Sequence, residues 1–61
     1  MNQNQQVLTH IKRRGAITQL EAVKYYNIYR LSARIYELRE LHPIKMRWKQ
    51  SKKKRFAQYY L

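Results

Sequence analysis

Apolar residues along this chain recur first with the period of a helix and then, in the last third, with that of a strand. Val7, Leu8 and Ile11 stand at i, i+1 and i+4, with Gln5, Gln6, Thr9 and Lys12 facing away. That stripe predicts a first helix from about Asn4 to Arg14. Lys12, Arg13 and Arg14 crowd its last turn, where cations suit the helix dipole as readily as they suit a phosphate. Gly15 follows as the C-terminal stop. Ala16-Ile17 reads as an extended connector, with a short third strand of a small sheet left open near Ile17. Thr18-Gln19-Leu20-Glu21 has the form of a capping box: the Thr18 hydroxyl accepts from the Glu21 amide, and the Glu21 carboxylate accepts from the Thr18 amide. A second helix over 19–26 follows, with Leu20 and Val23 as its inward pair and Ala22 small enough to let another helix approach.

Tyr25-Tyr26-Asn27-Ile28 breaks the pattern. Asparagine tolerates the left-handed conformation that ends a helix, and Ile28 can anchor the turn in the core. A third helix is predicted from about Tyr29 to Leu41, because Leu31, Ile35 and Leu38 lie at i, i+4 and i+7. Opposite that stripe fall Tyr29, Ala33, Tyr36 and Glu40, flanked by Arg30, Ser32 and Glu37, with Arg34 and Arg39 on the shoulders. His42-Pro43 ends the helical part, since the residue before proline disfavours helical geometry. Ile44, Met46 and Trp48 then alternate with Lys45, Arg47 and Lys49, which predicts a half-buried strand with Trp48 in the core. Gln50-Ser51-Lys52-Lys53 reads as a polar turn without the Asn-Gly or Gly-Gly pair of the tightest hairpins. A second strand runs from Lys54 to Leu61, with Ala57, Tyr59 and Leu61 inward and Phe56 and Tyr60 covering the sheet edge. The fold class is therefore mainly α with a small β-hairpin, and residues 1–61 read as a single domain.

Composition sharpens this picture. Fourteen Lys and Arg against three acidic residues give a formal charge of +11 in 61 residues. Charge this dense repels itself in a compact state and calls for a polyanionic partner. A disordered basic tail would lack the regular apolar spacing. The absence of cysteine excludes disulfides and thiolate metal sites. His10 and His42 stand far apart in the chain and read as surface histidines, so neither a metal nor another cofactor is expected. With no paired acid, nucleophile or ligand cluster, an enzyme is not expected. The longest apolar run falls far short of the ~20 residues of a membrane span, and the polar start is not a secretion signal, so a soluble, cytoplasmic protein is expected.

Two helices joined by a short turn, the second exposing polar and cationic groups, make a helix-turn-helix. Such a helix fits the major groove of duplex DNA and needs phosphate contacts to hold it there. The candidate contacts on the third helix are Tyr29, Arg30, Ser32, Ala33, Arg34, Tyr36 and Glu37. Arg30 suits a guanine edge or a phosphate, the hydroxyls offer hydrogen bonds, and Ala33 gives room for close approach. Lys49, Lys52, Lys53, Lys54 and Arg55 have the composition of a wing laid along the phosphate backbone. Tyr25, Tyr26 and Trp48 offer a different reading, as a stacking platform for single strands.

The opening Met1-Asn2-Gln3, the stretch Ile17-Thr18-Gln19-Leu20-Glu21-Ala22, the run from Ile28 to Arg39, and Lys54-Arg55-Phe56-Ala57 with Tyr59 and Leu61 resemble the small winged helix-turn-helix proteins of bacteriophages and prophages. The resemblance covers nearly the whole chain. It implies a winged-helix fold, double-stranded DNA binding with the third helix as the reading element, and action in a bacterial host cell. Asn27 stands where a glycine commonly ends the second helix, and the hairpin turn carries lysine in place of glycine. Transcription regulation is the leading expectation. An architectural or excision factor, binding DNA as a homo-oligomer of side-by-side copies, is the alternative within the class. An inhibitor that docks its basic surface on an acidic host protein is the alternative outside it.

Overall fold

The computed structural model describes residues 2–61, and its elements follow the order helix, strand, helix, helix, strand, strand. Helix α1 spans Gln3–Arg14, strand β1 Ala16–Thr18, helix α2 Gln19–Tyr26, helix α3 Leu31–Leu38, strand β2 Lys45–Ser51 and strand β3 Lys54–Tyr60. The three strands form an antiparallel sheet in the order β1-β3-β2. The third strand near Ile17, left open by the sequence, is present and pairs Ile17 with Tyr59.

Local chemistry sets most boundaries. A capping box formed by Asn2 and Gln5 starts α1, and Gly15 ends it at φ 91°, donating its amide to the Ile11 carbonyl at 2.7 Å. The Thr18–Glu21 capping box forms as expected: the Thr18 amide donates to Glu21 Oε1 at 3.0 Å, and the Glu21 amide donates to Thr18 Oγ1 at 3.2 Å. Asn27 takes the left-handed conformation at φ 60°, and the Ile28 amide returns to the Ala22 carbonyl at 3.0 Å. That bond pattern closes α2 and drives Ile28 into the core.

Helix α3 is shorter than its periodicity predicts. At its start, the Gln19 side chain spans the inter-helix turn: its amide donates to the Ile28 carbonyl at 2.9 Å, and its Oε1 accepts from the Leu31 amide at 3.1 Å. Tyr29 therefore lies in the turn and Arg30 at the N-cap position. At its end, the amides of Glu40 and Leu41 bond three residues back, and Arg39 Nε donates to the Ile44 carbonyl at 3.1 Å, turning the chain toward β2. Gln19→Ala removes both side-chain bonds and leaves two partly buried backbone groups without those partners. The expected cost is about 1–3 kcal/mol, read as a lower midpoint in denaturant with an unchanged slope.

The core consists of Val7, Ile11, Ile17, Ala22, Ile28, Leu31, Ile35, Leu38 and Ile44, with Leu8, Tyr26 and Tyr59 packed against it. Four sequence expectations give way here. His10 is not a surface histidine: it is 5% exposed and its Nδ1 lies 2.8 Å from the Tyr26 hydroxyl. It stands three residues after Val7 and one before Ile11, on the buried face. Leu20 is 76% exposed, because the inward face of α2 is made by Ala22, Val23 and Tyr26. Trp48 is 55% exposed and Leu61 is exposed too. The alternation in β2 describes facing but not cover. Register places Met46 and Trp48 on the same face as Ile17, Ala57 and Tyr59. Only Ile44, just before the strand, is buried; the hairpin beyond it is exposed along the whole of β2.

Candidate nucleic-acid interface

The hairpin that follows α3 is tighter than the sequence suggests. Ser51 pairs with Lys54, so only Lys52 and Lys53 form the turn. Lys52 adopts φ 55°, a conformation that normally favours glycine at the first turn position of a hairpin. Lys49 belongs to β2, and Lys54 and Arg55 to β3, so these three project from strands and not from a loop. Trp48 has a role other than core packing: the Arg55 guanidinium lies 4.5 Å from its ring centroid. Such a stack favours one orientation of the guanidinium on an exposed strand.

Between this hairpin and the starts of α2 and α3 runs a cleft of about 720 Å³. Ser32 from α3 and Lys54 and Arg55 from β3 line it together with Leu20, Phe56 and Ala57. A contiguous hollow lined by Leu20, Phe56 and Lys52–Lys54 extends toward the turn. The fold thus brings one α3 candidate and four wing cations to one side of the molecule. Leu20 and Phe56 are the surface that sequence reasoning misses. Helical position alone gives Leu20 to the core, whereas an apolar residue at the second position of a helix directly after a strand can equally face the hairpin.

The remaining candidates divide. Tyr29, Arg30, Ser32 and Tyr36 are exposed, while Ala33 is half-buried. Arg34 and Glu37 engage each other, with Nη2 3.0 Å from Oε1. A partly exposed pair of this kind stabilises little, so Arg34 can exchange Glu37 for another anion at small cost. Tyr29, Arg30, Tyr36 and Lys49 do not line the cleft. Tyr25 is exposed, but its ring stacks on His10 at 6.0 Å between centroids and meets Tyr26 edge-on at 6.3 Å. Trp48 lies on the hairpin, so these three rings do not form one platform. His10 Nε2 lies 3.9 Å from Glu21 Oε2, beyond hydrogen-bond distance. Among the described residues, no group of three or more His, Asp or Glu could hold a metal ion, and no helix is long and apolar enough to cross a membrane.

Three helices, with a turn joining the second to the third, and a small antiparallel sheet whose hairpin projects beside them define a winged helix-turn-helix, a class that points to double-stranded DNA. The family model for the winged helix-turn-helix domain matches residues 2–61, and the chain belongs to that family. No curated protein and no solved structure gives a significant match.

Proposed function

We propose that this chain acts as one sequence-dependent DNA-binding domain in transcription regulation, with α3 in the major groove and the β2–β3 hairpin on the phosphates. The observation that carries this reading is the cleft that Ser32, on α3, lines together with Lys54 and Arg55 on the wing. A helix in a groove needs flanking cations to hold it in register, and here both face one opening. Tyr29, Arg30, Ser32 and Tyr36 supply groups for base edges, Ala33 the close approach, and the Arg34–Glu37 pair the helix shoulder. Lys49, Lys52, Lys53, Lys54 and Arg55 supply the phosphate contacts. The net charge of +11 draws the domain to any duplex, so selectivity has to come from the helix. The phage-type likeness of the sequence supports a small regulator of this kind.

Arg30 tests the division of labour. It is exposed at the start of α3 with no capping bond from its side chain, and it is free to reach a guanine edge. Arg30→Ala is expected to cost about 1–3 kcal/mol on a duplex chosen by random-site selection, and much less on random duplex. Fluorescence anisotropy on both duplexes reads the difference. An equal effect on both makes Arg30 a phosphate clamp and moves the reading role to Ser32 and Tyr36.

A further inference from the structure

Strand β2 is an edge. In the order β1-β3-β2 it has a neighbour on one side only, and no other backbone hydrogen bond reaches Lys45–Ser51. All seven of its residues are exposed. One face of the strand carries Met46 and Trp48, and the other carries Lys45, Arg47 and Lys49. Arg47 is already ordered: its Nε donates to Gln58 Oε1 at 2.7 Å, and its guanidinium lies 4.5 Å from the Tyr60 ring centroid. Among the described residues no carboxylate pairs with any of these three cations. An unpaired strand with a regular side-chain alternation is a template for a further strand.

The charge pattern selects the occupant. In an antiparallel pairing of two copies of β2, any register that sets Met46 and Trp48 against apolar partners also sets cation directly against cation. Like charges opposite one another destabilise a ladder, so a second copy is disfavoured. We infer that the outer edge of β2 receives an extended acidic segment of another protein. Its acidic side chains alternate with apolar ones, meeting Lys45, Arg47 and Lys49 on one face and Met46 and Trp48 on the other. Main-chain bonds hold such a strand, and the alternation specifies it. This edge shares Lys49 with the proposed phosphate contacts, while Lys45, Met46, Arg47 and Trp48 lie outside the cleft beside α3, and the inference does not depend on DNA binding.

The test uses the full chain labelled with ¹⁵N and a capped heptapeptide of alternating Glu and Val, matched in length to β2. A second heptapeptide has the same residues with all the Glu placed first, so charge is constant and only the alternation is removed. The expected result is that the alternating peptide shifts the amides of residues 45–51 most, and that the block-ordered peptide binds at least tenfold more weakly. Arg47→Glu is expected to weaken the alternating peptide at least tenfold. Lys45→Glu, at a residue that makes neither the Gln58 hydrogen bond nor the cation stack on Tyr60, gives the same readout should Arg47→Glu disturb the fold. Equal binding of the two peptides, shifts centred on Lys52–Lys54, or no peptide binding while a duplex shifts residues 45–51 would each overturn the inference.

Discussion

Leu31→Ala or Ile35→Ala is expected to leave the protein largely unfolded at room temperature, with its far-UV helical signal gone. Both side chains are fully buried where α3 meets the rest of the core. Truncating a buried Leu or Ile costs about 2–5 kcal/mol, because the forfeited transfer energy adds to an unfilled cavity. Domains are stable by only about 5–15 kcal/mol, and one of this size buries only about 60% of the surface its unfolded chain exposes, so its margin lies at the low end. Charge repulsion from a net +11 narrows that margin further. Urea titration followed by circular dichroism measures the effect. Wild-type melting of both variants would mean that α3 does not hold the core together.

The second large effect concerns the wing. Replacing Lys52, Lys53, Lys54 and Arg55 together with alanine is expected to weaken selected and random duplex alike. It should also flatten the dependence of log affinity on log salt by about 0.9 for each phosphate no longer neutralised, so about 2–4 in all. The fold should survive, because all four side chains are exposed and β2 and β3 keep their backbone register. The Arg55 share of the effect follows from its stack on Trp48, which holds the guanidinium in one place before DNA arrives. Weakening on the selected duplex alone would instead give the wing a reading role. An unchanged salt slope would remove it from the phosphates.

Local signals in the sequence are the reliable ones. The Thr18–Glu21 box, the left-handed Asn27, the Gly15 stop and the Leu31, Ile35 and Leu38 stripe depend on residues within one or two helical turns, and each appears where the pattern puts it. What misleads is tertiary. The Gln19 side chain reaches across nine to twelve residues to fix the start of α3, and no periodicity reports that. The alternation of Met46 and Trp48 describes which side of the strand they share, yet burial also needs a layer above them, and the helices do not extend that far. Leu20 is misplaced for the same reason: its exposure depends on where the wing runs. The candidate interface is legible in its residue types, the cations of the hairpin and the polar face of α3. The cleft that joins the two, floored by Leu20 and Phe56, is not, because it exists only once β3 has paired with β1.

In the proposed mode of binding, α3 and the wing engage a duplex together. A ¹⁵N amide titration with a duplex from random-site selection tests it most directly. The predicted result is a set of perturbed amides covering Tyr29–Glu37 and Lys49–Arg55, with the outward side of α1, at Gln5 and Thr9, unchanged. Perturbations confined to α1, or no change anywhere at low salt, would contradict it.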